Sequence, residues 1–183
     1  NAIMISLRAQ YMLEKKYSLA EFFCGCGGTS RGFTRSGRFN AVFGNDIKTE
    51  ALRTFEFNHR QDDVPPVTVR EDIRLLDVER IHEALRERGV AKGDLDCMIG
   101  GPPCQGFSQL RRSEHREKGK IVKFKGYSQL AHDPRNDLVL RYLEVAEALQ
   151  PKFLVIENVP QMLNHGFDGR LGKLSEIDRK SIV

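Results

Sequence analysis

The sequence predicts an α/β fold in which a mostly parallel sheet carries helices on both faces. Short apolar runs recur along the chain at YSLAEFFC (17–24), AVFG (41–44), VTV (67–69), LDCMIGG (95–101) and KFLVIENV (152–159). Each run ends in a glycine, asparagine, aspartate or glutamate turn, and stretches with helical spacing lie between them. Near-continuous apolar runs suit strands buried on both faces, and strands alternating with helices suit a parallel arrangement.

The elements follow in order. The first run ends in the glycine cluster Gly25 to Gly28 and the second at Asn45-Asp46; both read as strands followed by turns. In the helix after the second strand, Ala51, Leu52, Phe55 and Phe57 supply the apolar positions. VTV ends at Glu71-Asp72, and VERIHEALRERG then reads as a helix stopped by Gly89. LDCMIGG reads as a buried strand running straight into Pro102-Pro103. The segment 133–151 has helical spacing of Leu138, Tyr142, Val145 and Leu149 and closes at Pro151, before the fifth strand. Five loops therefore start at one sheet edge, at Cys24, Asn45, Glu71, Gly100 and Glu157. Ligands of open parallel sheets bind beyond that edge.

Composition narrows the class. A chain of 183 residues, 40% apolar and 30% charged, suits one globular domain with a sizeable core. No apolar run approaches the ~18 residues that span a membrane, and residues 1–16 form an N-terminal extension without the long apolar block of a signal peptide. An intracellular protein is expected. Cys24, Cys26, Cys97 and Cys104 are too few for a disulfide scaffold, and their spacing matches no zinc site, so no metal is expected. The net charge of +4 is unevenly spread: between Gln105 and His132 there are seven basic and two acidic residues, against 22 and 23 elsewhere. Such local charge favours a polyanion.

Two half-sites stand out. FFCGCGGTSRGF sets glycines between a strand and a helix, where backbone N–H groups approach a ligand closely, yet it fits neither a dinucleotide fingerprint nor a phosphate loop. Asp46 ends the second strand, where an acid accepts hydrogen bonds from a ribose, and Asp72 ends the third, where one accepts from an exocyclic amine. Taken singly each aspartate also reads as a cap or turn residue; together they suggest an adenosine-bearing cofactor. In GGPPCQGFS, two prolines fix two φ angles and mount Cys104 on a stiff, non-helical backbone. That suits an aimed thiol, or a small buried hydrophobe in a tight turn.

FxGxGG at Phe23 to Gly28, Asp46, Asp72, PPCQGFS at Pro102 to Ser108 and ENV at Glu157 to Val159 occur in an order and at spacings that resemble the DNA cytosine-5 methyltransferases. The resemblance covers roughly residues 17 to 165. It implies a Rossmann-like class I methyltransferase fold, incomplete at the C-terminal side, and S-adenosylmethionine as cofactor. It assigns the cofactor to Phe23, Gly25, Gly27, Gly28, Asp46, Ile47, Asp72, Ile73, Pro103 and Leu138. Asp46 stands where that family more often has glutamate. Cys104 takes the role of nucleophile toward carbon 6 of a cytosine flipped out of double-stranded DNA, and Glu157 that of the group serving the ring's N3 side, helped by partial burial. Asn158 braces the backbone of the turn. The long basic loop 105–132 reads as a lid, with Gln105, Ser108, Arg111, Arg112 and Arg116 toward DNA phosphates.

The expected organisation is a partial catalytic domain over residues 17–168 and a C-terminal helix or tail over 169–183, without a target-recognition region. A second chain or a further C-terminal half would then complete the enzyme, and the resemblance implies a place in a restriction-modification system. A transfer-RNA cytosine-5 methyltransferase and a non-catalytic cofactor- or DNA-binding module are the alternative readings.

Overall fold

The computed structural model describes residues 16–103, 114–117, 120–123 and 137–159, the two short stretches by their backbone alone. Among these residues the elements are β1 (Tyr17–Phe22), α1 (Gly28–Thr34), β2 (Phe39–Asp46), α2 (Thr49–Asn58), β3 (Val67–Arg70), α3 (Val78–Glu87), β4 (Cys97–Gly100), β5 (Glu114–Glu117), β6 (Lys120–Lys123), α4 (Asp137–Leu149) and β7 (Phe153–Ile156). Five strands form one sheet in the order β3-β2-β1-β4-β7, every neighbouring pair parallel. The five apolar runs thus supply its five strands.

The strand order places β1 at the centre. The chain winds outward from β1 to β3, then returns to pair β4 on the other side, so the winding reverses between β1 and β4. Crossover loops leave a crevice at such a reversal, outside the carboxyl ends of the strands.

Alternation along β1 feeds two faces. Ala20 and Phe22 join Phe43, Ile81, Leu85, Met98, Tyr142, Val145 and Leu149 in the larger core, beneath α3 and α4. On the other face Leu19, Cys97 and Ile99 meet Phe33 of α1, while Leu52 and Phe55 of α2 cover Ala41 and Cys24. The β1–β2 register slips between Leu19 and Ala20, which pair with Ala41 and Phe43 and leave Val42 as an extra residue. A one-residue slip exchanges faces. Phe43 therefore packs at 5.3 Å from the Phe22 ring on the larger core. Gly44 turns to α2, where a side chain would start 2.6 Å from the Phe55 ring.

Each helix carries a distinct signature. Asp77 caps α3 by accepting from the Glu79 N–H at 3.1 Å, and the helix ends just before Gly89. In α4, Val139, Tyr142, Val145, Ala146 and Leu149 are buried, and the Tyr142 hydroxyl donates to the Val155 carbonyl of β7 at 3.1 Å. In α2 the expected apolar stripe is narrower than its sequence: Leu52 and Phe55 are buried, but Phe57 is 74% exposed. Phe57 falls two residues from Phe55, off a stripe repeating every three or four residues.

The loop expected over 105–132 contains regular structure. β5 and β6 pair antiparallel from Glu114↔Lys123 to Glu117↔Lys120, with two residues between the strands, Lys118 and Gly119. Two-residue connections are the usual hairpin length. Cys104, Gln105, Ser108, Arg111, Arg112, the Arg116 side chain, the N-terminal stretch before Lys16 and the tail 169–183 lie outside the described residues.

Candidate functional site

Five strand ends line the carboxyl edge of the sheet, on either side of the reversal between β1 and β4. The first strand stops at Phe22 rather than at Cys24, because Phe23 adopts the left-handed region with φ 54°. A non-glycine residue there is uncommon and costs of order 1 kcal/mol or more, which the surroundings must over-determine. They do so on both sides: the Phe23 ring packs 6.3 Å from Tyr142, and the Cys24 N–H donates to the Asn45 carbonyl at 3.0 Å.

The glycine turn after Phe23 is clamped at successive positions. The Gly25 N–H donates to Asp46 Oδ2 at 2.9 Å, and the Gly27 N–H to the Cys24 carbonyl at 2.8 Å. Asn58, the last residue of α2, donates its side-chain amide to the Cys26 carbonyl at 3.0 Å. The Gly27 carbonyl lies 3.2 Å from His59 Nε2 and 3.3 Å from Ser30 Oγ. Gly27 itself has φ 84°, and a Cβ there would lie 2.4 Å from His59 Nε2, so only glycine fits. By contrast, Gly25 and Gly28 have no atom within 4 Å of where a Cβ would stand. The turn is closed toward α2 and open on its other side.

The acids at the next two strand ends differ. Asp46 holds Gly25 with one oxygen and the Lys48 N–H with the other at 2.9 Å. Ile47 beside it is 61% exposed, apolar surface at the mouth of the crevice. Asp72 is engaged by Arg74, whose guanidinium and backbone N–H both donate to it. Those bonds hold its carboxyl below the usual range. Of the other predicted cofactor residues, Ile73 is 2% exposed in the larger core, Leu138 packs against that core, and Pro103 is half-buried.

On the far side of the reversal, β4 delivers Gly100, Gly101, Pro102 and Pro103 to the edge. A Cβ at Gly100 would lie 2.5 Å from the Tyr142 ring, which explains a glycine at the end of this strand. The Glu157 N–H donates to the Gly100 carbonyl at 2.9 Å, and the Asn158 side chain donates to the Pro102 carbonyl at 3.0 Å. The backbone before Cys104 is therefore tied, at Gly100 and Pro102, to the chain segment carrying Glu157. Glu157 itself is exposed, not partly buried as expected. Its Oε2 lies 3.2 Å from where a side chain on Gly101 would begin.

Several residues behind the site carry no obvious signal in the sequence. Asn45 is buried and donates to the Val69 and Glu71 carbonyls at 2.9 and 3.0 Å, fixing the end of β3 beside β2. Glu21 is buried under the turn, accepts from the Ser30 N–H at 3.3 Å, and burial pushes its carboxyl above the usual range. The thiols of Cys24 and Cys97 are raised by burial, Cys97 to about 11 and Cys24 further. A thiol so raised is neutral and inert near neutral pH. Among the described residues no three metal-ligating side chains converge, and no helix is long and apolar enough to cross a membrane.

A parallel sheet ordered β3-β2-β1-β4-β7, with a glycine turn after its central strand and acids at the ends of the next two, has the fold of the class I methyltransferases. The profile of the C-5 cytosine-specific DNA methylases matches residues 17–177, and the chain belongs to that family. It is 36% identical over 144 residues to the type II methyltransferase M.AgeI of Thalassovita gelatinovora, covering 79% of this chain and 28% of that protein. Similarity to the DNA (cytosine-5-)-methyltransferase M.ApeKI of Aeropyrum pernix is 34% over 155 residues, covering 81% and 30%. The chain thus spans under a third of the length of these relatives. Among solved structures the fold resembles the Dnmt2 methyltransferase of S. pombe, with a TM-score of 0.56 at 18% identity over 89% of this chain and 41% of that one. It also resembles a Spodoptera frugiperda DNMT2 mutant, with a TM-score of 0.55 at 21% identity, covering 88% and 41%.

Proposed function

We propose that this chain is the cofactor-binding and nucleophile-bearing part of a DNA cytosine-5 methyltransferase that uses S-adenosylmethionine. The observation that carries the reading is the hydrogen bond from Asn158 to the Pro102 carbonyl, which ties the backbone two residues before Cys104 to the segment bearing Glu157, at the same sheet edge as the glycine turn. Relatives named as DNA (cytosine-5)-methyltransferases support DNA as the substrate.

The residues fit an adenosine-bearing cofactor. Gly25 and Gly28 leave open space where side chains would otherwise stand, Asp46 offers a carboxylate beside it, and Ile47 and Phe23 offer apolar surface for a base. Pro103 and Leu138 complete the set that would line the pocket. Bound S-adenosylmethionine supplies an electrophilic methyl group on a sulfonium.

The chain's own residues then make cytosine reactive. The Cys104 thiolate adds to carbon 6, forming a carbon–sulfur bond and breaking the ring's aromaticity, so that the electron pair becomes available at carbon 5. Glu157 hydrogen-bonds or protonates N3, where negative charge develops. After methylation, the carbon 5 proton leaves to solvent base, the carbon–sulfur bond breaks and the thiolate is regenerated. The target base is flipped from the duplex to reach the thiol. Gln105, Ser108, Arg111, Arg112 and Arg116 hold phosphates while segment 105–132 covers the site. A second chain or the remaining part of a longer one supplies target recognition.

Duplex DNA carrying 5-fluorocytosine tests the mechanism in the full-length protein, since fluorine cannot leave as the proton does. With cofactor present, a complex that survives denaturation is expected, with the nucleotide on Cys104 by peptide mass spectrometry. Cys104→Ser should abolish it, whereas Cys24→Ser and Cys97→Ser should not. Attachment elsewhere, or trapping by Cys104→Ser, would overturn the assignment. Parallel methyl transfer to transfer RNA separates the DNA reading from an RNA one, and absence of any turnover by the full-length protein would favour a non-catalytic module.

A further inference from the structure

Arg141 lies on α4, one helical turn after Leu138, and reaches across to the turn that follows β3. Its Nε donates to the Ile73 carbonyl at 3.1 Å and its Nη2 to the Leu76 carbonyl at 2.9 Å, while Nη1 meets Glu144 at 3.2 Å. No other donor reaches either carbonyl among the described residues. Both bonds are partly buried, where a carbonyl left unpaired is costly. The turn is also closed from within, because the Asp72 carbonyl accepts the N–H groups of Leu75 and Leu76 at 2.9 and 3.1 Å.

The Ile73 carbonyl and the Arg74 N–H belong to one planar trans peptide unit and point opposite ways. Arg141 holds the first, and the second donates to Asp72 Oδ1 at 3.0 Å. The Asp72 carboxylate is thus oriented through a peptide whose other end is anchored on α4. A carboxylate offers about four acceptor positions. The Arg74 N–H, Nε–H and Nη2–H engage three of them, and the Asp72 side chain is 28% exposed, so one position stays open. We propose that Arg141 is the positioning residue of the Asp72 turn, holding the carboxylate where it accepts from the exocyclic amine of the cofactor's adenine and so selects an aminopurine. The proposal rests on the S-adenosylmethionine reading above, and goes beyond it in assigning selectivity for the base to a residue that acts through another.

The test uses the full-length protein and three variants. Arg141→Met keeps an apolar stem and removes the donors; Arg141→Lys returns a single ammonium; Glu144→Gln alters only the ion pair. Calorimetry measures the affinity of S-adenosylmethionine and of its inosine counterpart, in which an oxygen replaces the exocyclic amine. Hydrogen–deuterium exchange without ligand reads the peptide spanning 70–78. Wild type should prefer the amino ligand. Arg141→Met should weaken that ligand about tenfold, the scale of one hydrogen bond, change its inosine counterpart by less than about threefold, and raise exchange in the peptide. Arg141→Lys, whose ammonium serves one carbonyl at a time, should lose part of the preference, and Glu144→Gln none of it. An unchanged preference in Arg141→Met would overturn the proposal. So would equal losses for both ligands, which mark a merely structural residue, or a wild type that binds both alike. A wild type that binds neither ligand would instead sink the cofactor reading, with exchange in Arg141→Met, raised or unchanged, still supporting or overturning its hold on the turn. Should Arg141→Met fail to fold, Arg141→Lys decides alone, since a wild-type preference in it would overturn the proposal.

Discussion

Asn158 spans the gap between two strand ends: its Nδ2 donates to the Pro102 carbonyl at 3.0 Å, while its side-chain Oδ1 accepts the Val159 N–H at 2.9 Å. One side chain thereby fixes both the backbone before Cys104 and the backbone after Glu157. Asn158→Ala should lower kcat of the full-length enzyme by an order of magnitude or more, since small misplacement of reacting groups costs about that. Cofactor affinity should stay unchanged. Stopped-turnover assays and calorimetry check the split, and an unaltered kcat would free the turn from Asn158.

Asp46 should matter twice. Asp46→Ala removes a ribose acceptor and also the anchor of Gly25, so S-adenosylmethionine binding should weaken by about 1 to 3 kcal/mol. Asp46→Asn keeps one acceptor oxygen and should lose less. Titration calorimetry on both variants would reveal it, and affinities equal to wild type would remove Asp46 from the site.

Two glycines should separate folding from binding. Gly100→Ala drives a methyl against the Tyr142 ring at 2.5 Å and should cost about 1 to 3 kcal/mol, or roughly 2 to 4 °C of melting temperature per kcal/mol. Gly28→Ala meets open space, so its melting temperature should match wild type while cofactor binding falls. A reversed pattern in thermal scans and calorimetry would contradict the placement of the open cradle.

Thiol labelling should follow burial. Cys97, raised to about 11, and Cys24, raised further, should resist iodoacetamide at pH 8 until the protein unfolds. Exposed Cys26 should react in the native state. Peptide mapping after short exposure reads the order directly.

His59 should make the fold acid-sensitive. Burial, with Arg31 nearby, lowers its pKa below 6.5 against a weaker opposing contribution from the Gly27 carbonyl. The unfolded chain therefore takes up a proton first as pH falls through about 6.5. The contribution of His59 to stability is full above that pH and declines below it, until the folded-state pKa is reached. His59→Phe should flatten the melting-temperature profile between about pH 7.5 and 5.5 relative to wild type. Superimposable profiles would show that His59 carries no part of it.

Much of the frame is readable from the sequence because burial on two faces leaves continuous apolar runs. CMIG is such a run, buried at every position; FLVI is as apolar although its strand is only half-buried and opens on an exposed Phe153, and YSLAEF carries Ser18 and Glu21 within it; all three form strands. The β5–β6 hairpin is not readable: EHRE is mostly charged, KIVK holds only the pair Ile121-Val122 between lysines, and neither alternates. At the site, glycines and acids at strand ends announce themselves through turn chemistry. The supports do not. His59 and Ser30 meet across 29 residues and Asn158 reaches Pro102 across 56, and such pairings arise from tertiary packing that no local pattern encodes.

The central position of β1 has a consequence for how the molecule is made. Ser18 is bonded to Asp96 across 78 residues, and Leu19 pairs with Cys97. At synthesis rates of about 5 to 20 residues per second, one edge of β1 waits roughly 4 to 16 s after the strand is made before β4 exists to cover it. During that interval β1, α1, β2, α2 and β3 have one another to pair with, while the bare edge invites strands from neighbouring nascent chains. The seam that joins the cofactor half to the nucleophile half is thus the late step of assembly, and the one where a crowded polysome is most prone to error.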